Sequence, residues 1–470
     1  MLQAPNLSDY LERKSRSLNL PQKGIKDFND QQLNTCDLAD YDELILNNAS
    51  KMGENAIWPK DYNRIHNLDG IQNLMGITSI KRLKITNNDI RQINHIDTLL
   101  NMETLDLSGN IIVNIEGMSN LVNLRELHLC NNEINKIQGL DKLKKLEVLD
   151  LCCNKIEKIE GLDNLVNLKV LDLSNRQILA EFSAVHFRSS QREEKWVRHL
   201  QITYPANYTN RNKITDIDGL DPLINLENLD LSGNNIRTIR VLDRLNTLKG
   251  LYLSRNQIEE IGQLPDSLVE LCLDQNQINK IQNLQNLKKL EILNLSKNNI
   301  RRIEGLDGLD ALEDLYLKNN DITSVNLDDL GGGFDKNGKA KDTFAFKWYS
   351  RTQEDPSGKI AITYGRSTLK IVNRYTHELT LEGSFFGMRN LSKIGGLEKL
   401  RDCLYCLDLS DNSIVDTRGL PQLDTLEKLI LRENRIKRLR GLATTNDSLP
   451  LTPEDTGLSS LGRRLALPSP

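Results

Sequence analysis

The chain has 470 residues, with 61 Lys and Arg residues against 65 Asp and Glu residues and a formal net charge of −4 at pH 7. This balance lacks the basic excess that nucleic-acid-binding proteins carry, so we expect no nucleic-acid partner. The N-terminal sequence has no apolar core of a signal peptide, and no run of about 18 apolar residues occurs in the chain. We therefore expect no membrane segment and an intracellular location, in the cytoplasm, the nucleus or both.

Residues 1–65 show no regular pattern, except for a strand-like stretch, Asp-Glu-Leu-Ile-Leu-Asn-Asn, at 42–48. We predict that this segment is an irregular N-terminal cap on the structure that follows. Repetitive folds need such caps, because the apolar face of their first unit would otherwise meet water.

From residue 66 the chain repeats one pattern of 22 residues. Two leucines that flank a single residue stand before an asparagine, as in Leu105-Asp-Leu107 before Asn110. The asparagine recurs in frame at Asn88, Asn110, Asn132, Asn154, Asn212, Asn234, Asn256, Asn276, Asn298, Asn320, Asn412 and Asn434. A period in the 20s with the pattern L-x-x-L-x-L-x-x-N-x-I is the signature of a leucine-rich repeat solenoid.

Each part of the pattern has a structural reason. The L-x-L residues form a short strand whose leucines point inward, while the residue between them points to the opposite face. The asparagine amide donates and accepts hydrogen bonds where the chain turns, and a glycine allows a bend that a Cβ would hinder. That glycine recurs at Gly117, Gly139, Gly161, Gly219 and Gly305. We predict an α/β fold over residues 66–442, a horseshoe-shaped solenoid with a parallel β-sheet on the concave face and short helical or irregular turns on the convex face.

Two segments interrupt the frame, one at 176–211 and one at about 331–376. Deleting the first restores the 22-residue spacing between Asn154 and Asn212. The two segments hold 12 of the 22 aromatic residues of the chain in 82 of its 470 positions, so their composition differs from that of the repeats.

Two interpretations of these insertions stay open. As genuine loops they would offer anchors to a partner, since aromatic residues are enriched at binding hot spots. Those anchors would be Trp196, Phe344, Phe346, Trp348 and Tyr349. As translated intron sequence in an incorrect gene model they would be absent from the mature protein. Behind the last repeat, residues 443–470 are rich in Ser, Thr and Pro, and we predict a disordered tail.

The seven cysteines are expected to be free thiols, as is general in intracellular proteins. Cys130 and Cys152 occupy the same place in adjacent repeats, so they would be stacked neighbours that an oxidising environment could join. The sequence does not fix the redox state of this pair. Cys403 and Cys406 form a lone CxxC pair without a second pair or a His pair in the sequence nearby, and we predict no zinc site there.

The residues between the two leucines of each strand are the candidate site. We expect no enzyme, because the six histidines are scattered and no HExxH, GxxxxGK[ST] or GxSxG motif occurs. Repeat proteins bind partners on the face where these residues form a row. We predict a protein-binding scaffold without cofactor or metal, whose binding residues are Asp106, His128, Asp150, Asp172, Asp230, Tyr252, Asn294, Tyr316 and Asp408. The alternative is that short polar residues only solvate an exposed sheet face.

The form of the repeat at 146–165, 226–239 and 290–309 resembles the regulatory subunit 7 family of protein phosphatase 1. The resemblance implies a non-catalytic horseshoe that binds the phosphatase catalytic subunit through acidic and aromatic residues of its concave face, and we expect a monomer. His128, Cys272 and Asn294 depart from the aromatic and glutamate pattern of that family. Axonemal, dynein-associated and cilium assembly proteins share this repeat type, so a cytoskeletal or ciliary adaptor is the alternative. The sequence does not show whether binding activates or inhibits a partner.

Overall fold

A computed structural model of the protein describes residues 17–20, 25–29, 33, 37–48, 63, 65–175, 211–240, 242–306, 308–309, 311–312, 314–317 and 320–321, and beyond these seven further strands and residue 422. The predicted anchors Trp196, Phe344, Phe346, Trp348 and Tyr349 and the predicted tail at 443–470 lie outside the described residues. The chain divides into two compact units. The first comprises Met1–Ile236 and Arg244–Leu248, and the second comprises Arg237–Asp243 and Lys249–Pro470.

The first unit is built on short parallel strands that pair in chain order. In its described residues they are β1 (Ser17–Asn19), β2 (Glu43–Ile45), β3 (Arg82–Lys84), β4 (Thr104–Asp106), β5 (Glu126–His128), β6 (Val148–Asp150), β7 (Val170–Asp172) and β8 (Asn228–Asp230). The register places equivalent residues side by side, so that Leu127 lies between Leu105 and Leu149. The predicted parallel sheet of stacked coils is confirmed.

Two of these strands lie in the segment that the sequence pattern marks as irregular. β2 falls within the strand-like stretch at 42–48, and β1 precedes it. Leu44 and Leu46 are fully buried. The amide of Asn48 donates to the carbonyl oxygens of Asn63 at 2.6 Å and Asn87 at 2.9 Å. Coils of irregular length therefore precede residue 66, and the sheet extends from β3 through β2 to β1.

The sheet continues directly across the first interruption. β7 pairs with β8, and Asp172 lies beside Asp230. The residues that flank the interruption also meet, because the backbone N–H of Asn212 donates to Oδ1 of Asn175 at 2.7 Å.

The second unit contains further parallel strands and an antiparallel part. The parallel series is β9 (Gly250–Tyr252), β10 (Glu270–Cys272), β11 (Ile292–Asn294) and β12 (Asp314–Tyr316). The remaining strands are β13 (Val325–Asn326), β14 (Ile360–Gly365), β15 (Thr368–Val372), β16 (Glu378–Glu382), β17 (Ile394–Gly395), β18 (Leu404–Leu409) and β19 (Lys428–Ile430). β15 pairs antiparallel with β14 and β16, while β12 pairs parallel with β16 and β18 with both β14 and β19. β14 and β15 lie within the predicted second insertion.

The core of each coil consists of leucine and isoleucine side chains. In the coil that follows β4, Leu105, Leu107, Ile112 and Ile115 are all fully buried. The return segments are turns and bends, with one-turn 3₁₀ helices at Ile71–Asn73 and Ile77–Ser79. Apart from the antiparallel strand β15, the described residues thus form a parallel-strand solenoid with almost no helix. They contain no helix long and apolar enough to cross a membrane.

The recurrent asparagines form a ladder of buried amides. Asn154, for example, accepts the backbone N–H of Ile134 at 3.0 Å through Oδ1. Its Nδ2 donates to the carbonyl oxygens of Leu129 at 2.9 Å and Leu151 at 3.0 Å. Each such amide satisfies polar backbone groups that the turn would otherwise bury without a partner. The same two-sided arrangement occurs at Asn88, Asn110, Asn132, Asn212, Asn234, Asn276, Asn298 and Asn320, as predicted.

The recurrent glycine is required by both conformation and space. Gly161 has a φ of +68°, and a Cβ at this position would lie 2.4 Å from the carbonyl oxygen of Ile137 in the preceding coil. Asn283 occupies the equivalent position in the second unit with a φ of 61°, and its Nδ2 donates to the carbonyl oxygen of Ile261 at 2.7 Å. Asparagine tolerates the left-handed region better than other residues with a Cβ, so it can replace the glycine here.

Candidate functional site

Four acidic residues and one histidine form a row along the sheet of the first unit. The row comprises Asp106, His128, Asp150, Asp172 and Asp230, and we call it the acidic row. Each residue lies beside the next in the register of β4 to β8. Because adjacent strands are about 4.8 Å apart, the row extends over roughly 19 Å. The structure therefore brings together five of the predicted binding residues.

The aspartates of the acidic row also have a local structural role. Oδ1 of Asp106 accepts the backbone N–H of Ser108 at 3.0 Å, and Oδ1 of Asp150 accepts that of Cys152 at 3.0 Å. Asp230 makes the equivalent bond to Ser232 at 2.9 Å. A bond from a side chain to the backbone two residues ahead stabilises the chain where the strand ends. One reason for aspartate at these positions is therefore the turn itself, which the sequence analysis did not anticipate.

Members of the acidic row differ in how much of the side chain reaches solvent. Asp106, Asp150 and Asp230 are half-buried. Asp172 is only 3% exposed, and Oδ1 accepts both the backbone N–H of Ser174 at 2.9 Å and its hydroxyl at 2.6 Å. His128 is 9% exposed. A partner would meet the three half-buried aspartates first.

His128 stands between two carboxylates of the row. Burial alone lowers the pKa of this imidazole, but the neighbouring carboxylate of Glu126 and the charges of Asp106 and Asp150 outweigh burial and raise the pKa. His128 Nε2 lies 3.8 Å from Oε2 of Glu126. When the imidazole is protonated it therefore offsets part of the negative charge of the row.

Glu126 is a further member of this face that the sequence analysis missed. It precedes His128 by two residues in β5, so strand periodicity places both on the same face. At the N-terminal end of the sheet, Arg82 Nε and Lys84 Nζ lie 3.7 Å and 3.0 Å from Oε1 of Glu43, so two basic residues share one carboxylate. The negative charge of the face therefore begins at Asp106.

The predicted residues of the second unit have a different chemistry. Tyr252 and Tyr316 are half-buried, and the Tyr252 hydroxyl donates to Oε2 of Glu270 at 2.6 Å. Asn294 is 5% exposed, and its Oδ1 accepts the backbone N–H of Ser296 at 3.0 Å, as the aspartates do in the first unit. Asp408 lies in β18 beside Ile430, and its side chain is outside the described residues. A binding role for these four residues stays a prediction.

The thiol state predicted for two of the cysteines is wrong in this structure. Cys130 and Cys152 are joined by a disulfide, with their Cα atoms 4.6 Å apart. Equivalent positions of adjacent coils are held one strand spacing apart, which falls within the Cα separations that a disulfide spans. Cys153 lies against this pair, and all three sulfur atoms are within 4.8 Å of one another. The coil spacing therefore produces a cluster that no short motif in the sequence reveals.

Family models match the same coils that the structure contains. The model described as "Leucine Rich repeats (2 copies)" matches residues 100–142, 122–164 and 144–184. Two others, described as "Leucine rich repeat" and "Leucine Rich Repeat", match residues 266–322 and 225–245. The protein carries leucine-rich repeats. The matched segments include β4 to β8 and β10 to β12. Such repeats typically form non-enzymatic scaffolds suited to protein–protein interaction.

Solved structures of leucine-rich repeat proteins are similar to this chain. A leucine-rich repeat protein of Leptospira interrogans is 22% identical with a TM-score of 0.53, and the match covers 92% of this chain and 94% of that chain. A TLR13–ssRNA13 complex matches at 18% identity and a TM-score of 0.51, over 86% of this chain and 53% of that chain. An internalin, InlF, of Listeria monocytogenes is 25% identical over 57% of this chain and 74% of that chain, with a TM-score of 0.40. The first two likenesses show the solenoid fold alone.

Proposed function

We propose that this leucine-rich repeat protein is a regulatory scaffold that binds the catalytic subunit of protein phosphatase 1 through the acidic row. The observation that carries the proposal is the register of β4 to β8, which places Asp106, His128, Asp150, Asp172 and Asp230 side by side. A row of this length fits a protein surface. It is too extended for a single small molecule, whose pocket would converge on one point.

The chemistry of the row favours a partner with a basic patch. Glu126 adds a carboxylate to the same face, and His128 is the one row member that can carry positive charge. Complementary charge accelerates the encounter of two proteins, and salt screens this attraction. The association should therefore weaken as the salt concentration rises.

Binding of purified phosphatase 1 catalytic subunit to the full chain tests the proposal. The decisive variant carries Asp106→Asn, Asp150→Asn and Asp230→Asn together. Asparagine keeps the side-chain oxygen that accepts the turn hydrogen bond, as Asn294 shows in the second unit, and removes only the charge. We expect the dissociation constant of this variant to rise at least tenfold and its salt dependence to diminish.

A matched control removes the same charge elsewhere. The variant with Glu116→Gln, Asp163→Asn and Asp218→Asn alters three exposed residues outside the sheet and should bind as the wild type does. Equal affinity of wild type and row variant would contradict a role for the row, and no binding by the wild type would contradict the phosphatase as partner. In a separate capture from cell extract, recovery of tubulin or dynein instead of the phosphatase would favour the cytoskeletal or ciliary adaptor.

A further inference from the structure

Two groups of possible metal ligands lie near the ends of β5 to β7 and share Cys152. The sulfur atoms of Cys130, Cys152 and Cys153 lie within 4.8 Å of one another, and the residues are 1%, 1% and 7% exposed. Carboxylate oxygens of Asp150 and Asp172 lie within 4.8 Å of each other and of the Cys152 sulfur. Zinc is a borderline metal ion that accepts both thiolate sulfur and carboxylate oxygen, so three cysteines with a neighbouring aspartate are a donor set that suits it.

The spacing of the sulfur atoms suits tetrahedral zinc. A zinc–sulfur bond is about 2.3 Å, so three thiolates on one ion lie roughly 3.8 Å from one another. The cluster needs only small side-chain adjustments to reach this spacing once the disulfide is open. A carboxylate at about 2.0–2.2 Å from the ion would complete four ligands.

We infer that the reduced protein binds one zinc ion through Cys130, Cys152 and Cys153, with a carboxylate of Asp150 or Asp172 as the fourth ligand. The ion and the Cys130–Cys152 disulfide exclude each other, because a sulfur engaged in the disulfide is not available as a thiolate. The cluster therefore exists in two forms. In one, a disulfide links the ends of β5 and β6, and in the other a zinc ion links them.

A dithiol is the reductant that converts the disulfide form into the form that binds zinc. The dithiol supplies two electrons that break the sulfur–sulfur bond and is itself oxidised to a disulfide. Its two protons remain on Cys130 and Cys152 as thiols. Zinc then displaces three protons, one from each of the three cysteines, and these protons pass to solvent. Three buried thiolates beside two carboxylates would be costly without a cation, so deprotonation and metal binding occur together.

Zinc titration of the full chain before and after reduction with dithiothreitol tests the inference. A chain with Cys36, Cys403 and Cys406 changed to Ser keeps only Cys272 besides the three cysteines of the cluster. We expect one zinc per reduced chain and none in the oxidised chain. Cobalt in place of zinc should show thiolate-to-metal charge-transfer absorption that requires all three cysteines.

Two variants distinguish zinc binding at this cluster from non-specific binding of zinc to thiols. Cys153→Ser should weaken zinc binding at least tenfold, while Cys272→Ser, which alters another buried thiol, should leave it unchanged. On the wild-type chain, after reduction and removal of the reductant, zinc should slow alkylation of Cys130, Cys152 and Cys153 by iodoacetamide, as mapped by peptide mass spectrometry. Equal zinc affinity in the Cys153→Ser variant and the parent chain, or alkylation of the three cysteines at a rate unchanged by zinc, would overturn the inference.

Discussion

Asn212 completes a coil that Ile156 belongs to, although 56 residues separate them in the chain. Oδ1 of Asn212 accepts the backbone N–H of Ile156 at 2.9 Å. Nδ2 of Asn212 donates to the carbonyl oxygens of Leu151 at 3.1 Å and Leu173 at 3.0 Å. The ladder thus passes from Asn154 to Asn212 without a missing member, and the coil needs no hydrogen bond from residues 176–210 at this point.

Deletion of residues 176–211 should therefore leave the coils intact. Asn175 would then precede Asn212 directly, in the place where Asn131 precedes Asn132 with a φ of 55° that asparagine tolerates. Since loop length changes stability only slowly, the free energy of unfolding in urea should change by about 1 kcal/mol or less. A deletion of equal length displaced to 179–214 removes Asn212 and Ile214 and should be strongly destabilising. Similar unfolding midpoints for the two deletions would contradict this assignment of the ladder.

Asn154→Ala should lower the free energy of unfolding by about 2–4 kcal/mol. The change leaves the buried N–H of Ile134 without this partner, at about 1–3 kcal/mol. It also removes one of the two amides that donate to the carbonyl oxygen of Leu129, at about 0.5–1.5 kcal/mol, while Asn132 keeps its bond at 3.1 Å. Urea unfolding measures the loss. Asn164→Ala, at an exposed amide, is the control and should change stability by no more than about 0.5 kcal/mol. A loss at Asn154 as small as that of the control would show that water replaces the ladder bonds.

Gly161→Ala should destabilise the first unit by about 1–3 kcal/mol, because a Cβ meets the carbonyl oxygen of Ile137 and the backbone is left-handed. Gly161→Asn should cost less, since Asn283 occupies the same place in another coil and donates to the carbonyl it faces. Chemical unfolding of the two variants decides the order. If Gly161→Asn were more destabilising than Gly161→Ala, the space around residue 161, and not its backbone conformation, would set the requirement for glycine.

The stability of the first unit should depend on the protonation of His128. Folding raises the pKa of this imidazole above its unfolded value, so the protonated form contributes stability below the unfolded pKa. That contribution is lost as the pH rises through the folded pKa. Relative to His128→Gln, the wild type should therefore lose unfolding free energy on going from mildly acidic to mildly alkaline pH.

Nuclear magnetic resonance titration of His128 gives a direct check. Glu126→Gln removes the neighbouring carboxylate and should bring the pKa of His128 down toward its usual range. Glu160→Gln, an exposed residue in another coil, should leave it unchanged. An identical pH dependence of stability in wild type and His128→Gln would rule out this coupling.

Reduction of the Cys130–Cys152 disulfide without zinc should lower the free energy of unfolding by about 3 kcal/mol. The disulfide joins residues 22 apart, and a loop of this size removes a corresponding amount of entropy from the unfolded chain. Unfolding with and without dithiothreitol measures the difference. The Cys130→Ser, Cys152→Ser variant is the control and should not respond to the reductant.

The regular features of the fold were predictable because the same residue type has the same structural role in every coil. Leu105 and Leu107 are inward because strand side chains alternate, and Asn154 is buried because the turn needs both a donor and an acceptor. By contrast, β1 was not predicted, and β2 was visible only as an isolated strand-like stretch, because their coils do not keep the 22-residue spacing.

The candidate site was predictable in its placement and only partly in its chemistry. The sequence places Asp150 on the sheet face, but not the turn hydrogen bond that gives this aspartate a structural role. Likewise Cys130 and Cys152 were recognised as neighbours, while the approach of Cys153 depends on its left-handed backbone, with a φ of 52°. The left-handed conformation recurs at the equivalent residues of other coils, such as Asn131 and Lys297, so only the cysteine at this position is particular to one coil.

The asparagine ladder also sets the order in which the coils fold during synthesis. Each amide bonds back toward the coil that precedes it, as Asn132 does to the N–H of Ile112 and the carbonyl oxygen of Leu107. During synthesis, a newly made coil therefore keeps open backbone groups until the next 22 residues have left the ribosome. We therefore expect each coil to complete its folding only after the next coil has been synthesised, when the asparagine of that next coil bonds to it.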